Sequence, residues 1–101
     1  MNPFPSTPDL LEVAENVVWF KEPTETLNAP IHFLSYAMRY GTDLDLIALE
    51  KSAIGLDHCR EALDHALAGV FDPRSWAYWN LKCGRTPPPL PVRNLNAIHT
   101  V

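Results

Sequence analysis

The chain has 101 residues, of which 47% are apolar and 20% charged, and its formal net charge is −4 at pH 7. This size and composition exclude a disordered chain and leave room for one hydrophobic core, so a single domain is expected. No stretch approaches the roughly 20 apolar residues of a membrane span, and residues 1–8 lack the basic and apolar pattern of a targeting signal. We therefore expect a cytoplasmic protein without membrane association.

The charge is distributed unevenly along the chain. Residues 1–72 contain all 12 acidic side chains and four basic ones, a balance of −8, whereas residues 73–101 contain four basic side chains and no acidic one. Negative charge repels a phosphate backbone and attracts a cationic protein. The pattern predicts that the body of the protein binds another protein, and that nucleic acid is bound only weakly or through the C-terminal segment.

Five helices are predicted, and no segment shows the alternation typical of a strand. The first begins with Thr7 as its cap and Pro8 in its first turn. Residues 19–29 contain a proline and scattered polar side chains, which predicts a loop. The second helix runs from Pro30 to Tyr40, and its nearly continuous apolar surface predicts a central position in the fold.

Gly41 is expected to end the second helix in the left-handed conformation. The third helix begins at Thr42, with Asp45 completing an approximate capping box, and continues to Ile54. After Gly55, a fourth helix is predicted to start at its cap Asp57 and to reach Ala68, with apolar residues at intervals of three and four.

A fifth helix is predicted after the Asp72 cap, ending at Gly84. Four prolines within residues 86–91 exclude a helix there and favour an extended segment that is loosely held unless it docks. The predicted fold class is therefore all-α, a compact bundle of about five short helices. Residues 1–85 are expected to form a single helical domain, and residues 86–101 a proline-rich extended tail.

Three side chains on the fourth helix, His58, Glu61 and His65, share one edge and could in principle bind a metal ion. The alternative is a solvated flank beside the buried stripe, and we favour it, so no metal and no cofactor is predicted. Cys59 and Cys83 are expected to be reduced core residues. No nucleophile motif or phosphate-binding loop surrounds the hydroxyl and thiol groups, which favours a protein that is not an enzyme.

The two helices on either side of Gly55 suggest an alternative function as a small helix-turn-helix DNA-binding transcriptional regulator. The second of these helices, however, carries more acidic than basic side chains, which disfavours contact with DNA. We therefore expect an αα-hairpin packed in the bundle. An apolar helix face left exposed would also permit a homodimer.

The predicted partner-binding residues combine large aromatic side chains with charged residues of the helices and the tail. Aromatic residues dominate the free energy of many interfaces, although the tryptophans of the fifth helix could equally form the core. The segment from Pro88 to Arg93 also matches a PxxPxR pattern, for which a spacer or docking arm is the favoured interpretation. The predicted residues are Trp19, Phe20, Asp57, Glu61, Asp64, Arg74, Trp76, Trp79, Arg85 and Arg93.

Four motifs between Val17 and Arg85 carry a resemblance to a known family. They are VVWF, FLSYAMRYGTDLDLIAL, DHCREAL and FDPRSWAYWNLKCGR. This pattern resembles an uncharacterised family of small helical bacterial proteins, often encoded beside nucleotidyltransferase-like toxins of the abortive-infection type. The resemblance implies an antitoxin, or an accessory subunit that neutralises or regulates such a toxin, and it implies no catalytic residue.

Overall fold

The computed structural model describes residues 1–91, which form six helices and no strand. The all-α fold class is therefore confirmed for this part of the chain, with one helix more than predicted. Arg93, assigned to the partner-binding set, lies outside the described residues. The helices in chain order are α1 (Pro8–Val17), α2 (Pro23–Leu27), α3 (Pro30–Tyr40), α4 (Asp43–Lys51), α5 (Leu56–Asp64) and α6 (Pro73–Lys82).

Three helices begin at the side-chain caps predicted from the sequence. Thr7 Oγ1 accepts a hydrogen bond from the amide of Leu10 at the start of α1. Thr42 and Asp45 form the capping box of α4, and the Asp72 carboxylate accepts from the amide of Ser75 in α6. Each cap satisfies a backbone donor that has no partner within the helix and so stabilises the helix start.

The prediction of a loop across residues 19–29 is wrong, because this segment contains α2. Pro23 occupies the first turn, where its missing amide proton costs nothing. A helix of five residues is unstable alone. Thr26 and Leu27 are fully buried and α2 packs against α1, so tertiary contacts stabilise it.

The helices around Gly55 are shorter than predicted. α4 ends at Lys51 rather than Ile54, and Ala53 adopts a positive φ of 62° in the turn that follows. α5 has Gly55, not Asp57, as its N-cap, and it ends at Asp64 rather than Ala68.

The left-handed conformation expected for Gly41 is wrong, because its φ is −65°. Gly84, predicted to end the last helix, does adopt a positive φ, of +78°. A glycine is needed at position 41 for a different reason. A Cβ there would collide with the carbonyl oxygen of Ala37, to which the Gly41 amide donates its hydrogen bond.

The core is built around α3, which packs against α1, α2, α5 and α6. Its side chains Phe33, Leu34 and Ala37 are fully buried. The central position predicted for this helix is confirmed.

The expected αα-hairpin is wrong, because α4 packs on α1 whereas α5 packs on α3 and α6, and the two are not packed side by side.

Residues 86–91 form neither helix nor strand, as predicted, but this segment is docked on the bundle. The indole nitrogen of Trp76 donates a 2.8 Å hydrogen bond to the carbonyl oxygen of Pro88. Leu90 packs against the core. Within residues 1–91, no helix has the length and apolar character needed to cross a bilayer.

Candidate protein-binding surface

Trp19 and Phe20 lie on the surface immediately after α1. Val17 and Val18 are fully buried, and the chain then turns toward α2, leaving Trp19 67% exposed and Phe20 54% exposed. Their rings meet edge to face with centroids 5.4 Å apart. Two large aromatic side chains are thus held together in solvent, where neither contributes much to the core.

One edge of α3 extends this pair into a larger cluster. Tyr36 and Tyr40 are one helical turn apart and stack with centroids 5.7 Å apart. Tyr36 contacts Phe20 at 5.7 Å, and Tyr40 contacts Trp19 at 6.1 Å. Every ring therefore touches two others, and the four form a closed circuit. We call Trp19, Phe20, Tyr36 and Tyr40 the aromatic surface.

The mutual contacts favour one arrangement of the four rings. Aromatic pairs at these distances contribute about 0.5–1.5 kcal/mol beyond their area burial. The rings therefore hold a defined arrangement before any partner arrives, which lowers the entropy cost of binding. Preorganised aromatic side chains of this kind are typical of the residues that dominate interface free energies.

The aromatic surface already contacts one cationic side chain within the protein, that of Arg39. Its guanidinium carbon lies 4.6 Å from the centroid of the Tyr40 ring, a cation–π contact. The same guanidinium is 3.5 Å from the Asp72 carboxylate. Asp72 also accepts hydrogen bonds from the hydroxyl and amide of Ser75, and these bonds lower the pKa of its carboxyl, with Arg39 contributing less.

His32 lies beside the aromatic surface, one turn before Tyr36, with its ring centroid 4.6 Å from that ring. Its Nε2 atom is buried and has no hydrogen-bond partner within the described residues. Burial lowers the pKa of this imidazole, and the nearby positive charge of Lys21 lowers it further. His32 is therefore neutral at physiological pH and extends the apolar character of this edge of α3.

The tryptophans of α6 belong to the core, the alternative left open by the sequence. Trp76 and Trp79 are 4% and 6% exposed. Both indole N–H groups are satisfied internally, since Trp79 Nε1 donates to the carbonyl oxygen of Met38 and Trp76 Nε1 to that of Pro88. Their burial removes both residues from the partner-binding set.

The acidic side chains predicted to contact a partner from α5 are paired within the protein. Asp57 lies 2.6 Å from the Arg60 guanidinium, and Asp64 lies 2.6 Å from that of Arg85. Glu61 lies 3.3 Å from the N-terminal ammonium of Met1. These pairs reduce the negative field of α5, although Asp57 and Asp64 remain exposed.

The remaining negative charge lies on the half of the protein that carries the aromatic surface. Residues 1–52 contain eight acidic and three basic side chains, whereas residues 53–91 contain four of each. The exposed acidic side chains include two on α1, Glu12 and Glu15, and two at the N-cap of α2 and within that helix, Glu22 and Glu25. The excess negative charge is therefore concentrated in residues 1–52, which also contain the aromatic surface.

The three side chains considered for a metal site do not come together as a ligand set within the described residues. His58 Nδ1 accepts from the amide of Gly55 at the start of α5. Glu61 and His65 line a cleft of about 480 Å³ together with His32, but within residues 1–91 no three His, Cys, Asp or Glu side chains are arranged to hold a metal ion.

Both cysteines are buried free thiols, as expected for core residues. Burial raises the pKa of Cys59 to about 11, with a further contribution from Cys83. Burial also raises the pKa of Cys83, against the opposing effect of nearby basic side chains. The thiolate form needed for nucleophilic or redox chemistry is therefore disfavoured at both positions.

The structure brings together only part of the predicted partner-binding set. Trp19 and Phe20 lie in the aromatic surface, and Arg74 is exposed in the first turn of α6. Arg85 forms an ion pair with Asp64 and donates a hydrogen bond to Asn80. Sequence reasoning missed Tyr36 and Tyr40, which it assigned to an apolar central helix. His32, Tyr36 and Tyr40 are spaced four residues apart and therefore lie on one edge of α3. This spacing is the sequence feature that could have identified an outward-facing edge.

The fold and this surface define a small all-helical protein with an exposed cluster of mutually packed aromatic side chains. Comparisons of the chain with protein-family models, with curated proteins and with solved structures find no match.

Proposed function

We propose that this protein is a non-enzymatic protein-binding module, an antitoxin-like protein or accessory subunit, that binds its partner through the aromatic surface. The observation that carries the proposal is the closed circuit of four aromatic rings, of which Trp19, Phe20 and Tyr40 are each more than 40% exposed. Contact with a partner would bury apolar area that the monomer leaves in water, at roughly 25 cal/mol for each Å².

The resemblance noted in the sequence supports the choice of partner. Its first two motifs contain all four members of the aromatic surface, since VVWF ends with Trp19 and Phe20, and the second motif includes Tyr36 and Tyr40. A nucleotidyltransferase-like toxin is the partner class that this resemblance suggests. We place the complex in the cytoplasm, which the two unpaired, buried thiols support.

The test is co-expression of the protein with the product of the adjacent gene, followed by affinity purification and a growth assay. The wild-type chain should co-purify with that product and relieve its toxicity. The double variant Trp19→Ala, Phe20→Ala should lose both effects. The matched control is Tyr78→Ala, Leu81→Ala, which removes one aromatic and one apolar side chain of similar exposure from α6.

The outcome that would overturn the proposal is clear-cut. If the wild-type protein captures no partner and gives no relief of toxicity, the antitoxin-like function is wrong. If the aromatic and control variants lose capture equally, the aromatic surface is not the binding site.

The helix-turn-helix regulator remains the alternative, and the packing gives it little support. A reading helix must be braced by the helix before it, whereas α4 and α5 pack on different neighbours. A gel shift at low salt with the upstream DNA, where phosphate contacts are strongest, distinguishes the two functions. A shift that depends on Arg60 but not on Trp19 would favour the regulator.

A further inference from the structure

We propose that the aromatic surface binds arginine side chains presented by a basic segment of the partner protein. This inference rests on the proposed protein-binding function and adds the chemistry by which the partner is recognised. It is based on an arrangement already present in the fold, on the exposure of Trp19, and on the distribution of charge.

The pair of Arg39 and Tyr40 is the internal example of this recognition. The Arg39 guanidinium lies over the Tyr40 ring, and one of its nitrogens is 3.5 Å from the Asp72 carboxylate. A guanidinium is planar and weakly hydrated, so it can stack on a ring and bind a carboxylate at the same time. The aromatic surface thus already stabilises one arginine, which covers only part of it.

Trp19 offers the best remaining position for a second guanidinium. It is the most exposed ring of the four, and indole gives the strongest cation–π attraction among the aromatic side chains. Its plane is nearly perpendicular to those of Phe20 and Tyr40, at 88° and 83°. Neither neighbour therefore stacks face to face on the indole, and Trp19 remains 67% exposed to a partner's side chain.

The surrounding charge favours a cationic segment. Glu15 lies four residues before Trp19 and Glu22 two residues after Phe20, and both carboxylates are exposed, as is Lys21 between Phe20 and Glu22. Residues 1–52 carry five more acidic than basic side chains. Exposed aromatic rings can also stack on nucleic-acid bases, but this excess of negative charge opposes a phosphate backbone. The exposed aromatic rings and the excess of negative charge together favour binding of a basic protein segment.

The probe is a short peptide of alternating glycine and arginine, titrated into the isotopically labelled full-length protein. Matched peptides carry lysine or the neutral isostere citrulline in place of arginine. The readout is the set of three indole N–H resonances. Those of Trp76 and Trp79 are hydrogen-bonded to backbone carbonyls and report whether the fold is intact, and the Trp19→Phe variant assigns the third.

The arginine peptide should shift the Trp19 resonance and leave the other two in place. Trp19→Ala should weaken peptide binding, measured by isothermal titration calorimetry, by about fivefold or more, whereas Tyr78→Ala should not change it; the two remaining indole resonances show that the variant is folded. The lysine peptide should bind more weakly than the arginine peptide, and the citrulline peptide should not bind.

Equal binding of the citrulline and arginine peptides would overturn the inference, as would unchanged affinity in Trp19→Ala. Binding of an oligothymidylate but not of the arginine peptide would overturn it in favour of a nucleic-acid surface. The two proposals fail separately. If no arginine peptide binds but Trp19→Ala, Phe20→Ala still abolishes capture of the protein partner, the arginine chemistry is wrong and the protein-binding function stands.

Discussion

The indole N–H of Trp79 donates a 2.6 Å hydrogen bond to the carbonyl oxygen of Met38, 41 positions earlier in the chain. Met38 lies in the last turn of α3, where carbonyl groups have no partner within the helix. The bond therefore satisfies a buried acceptor and joins α6 to the central helix.

Replacing Trp79 with Phe should lower the free energy of unfolding by about 2–3 kcal/mol, because the Met38 carbonyl loses its partner and the smaller ring leaves a gap. Urea unfolding measures this change. Tyr78→Phe, at the exposed neighbouring position, should stay within about 0.5 kcal/mol of the wild type. Equal effects of the two substitutions would show that the hydrogen bond contributes nothing.

A buried carboxylate connects α1 to α4. Asp45, only 5% exposed, accepts hydrogen bonds from the amide and hydroxyl of Thr42 and from the side-chain amide of Asn16 at 3.1 Å. Asp45→Ala should lower the free energy of unfolding by about 2–3 kcal/mol, and Asn16→Ala by about 1 kcal/mol.

A double-mutant cycle isolates the link between Asn16 and Asp45. Because the two side chains are in direct contact, the double variant should be less destabilised than the sum of the single changes, by about 0.5–1 kcal/mol. Glu50→Gln, on the exposed side of α4, combined with Asn16→Ala serves as the additive control. Strict additivity for Asn16 and Asp45 would contradict the contact.

The stability contributed by Asp72 should depend on pH in a defined direction. Its carboxyl pKa lies below the ordinary value of 3.8, chiefly because Ser75 donates hydrogen bonds to it. The folded state therefore binds this proton less readily than the unfolded state. The contribution is present above the ordinary pKa and is lost as the pH falls through the lower value of the folded state.

Asp72→Asn should accordingly be less stable than the wild type at neutral pH, and the difference should shrink as the pH falls below about 4. Urea unfolding across this range gives the comparison. Ser75→Ala, which removes one of the donors, should show the same trend in weaker form. A difference that stays constant down to acid pH would show that Asp72 is not responsible.

The two cysteines should be unreactive in the folded protein. With the pKa of Cys59 raised to about 11 by burial, little of the thiol is ionised at neutral or mildly alkaline pH, and burial restricts access further. A thiol reagent at mildly alkaline pH should modify the native chain much more slowly than the chain in urea, where two thiols react. Cys83→Ala separates the two positions, and rapid labelling of Cys59 under native conditions would contradict its burial.

The local features that the sequence predicted correctly depend on a few neighbouring residues. The caps Thr7, Thr42 and Asp72 determine where α1, α4 and α6 begin, because each bonds to the backbone amide three residues further on. Gly84 ends α6 for an equally local reason, since its positive φ suits glycine. Such interactions can be read without knowing the rest of the fold.

The errors occurred where distant contacts outweigh local preference. α2 was missed because its stability comes from burial of Leu27 against α1 rather than from its own five residues. α4 and α5 were predicted as a hairpin because they are adjacent in sequence, but α4 finds its neighbour in α1 and α5 in α3.

The sequence by itself determined the all-helical class, most helix starts, and the choice of Trp19 and Phe20 as surface candidates. Only the tertiary structure decided that Tyr36 and Tyr40 join them, that Trp76 and Trp79 are buried, and that Asp57 and Asp64 are paired with arginines. The physical reason is that helical periodicity indicates which face of a helix is apolar. Whether a given side chain is exposed, and whether its charge is neutralised, depends on which helices pack around it.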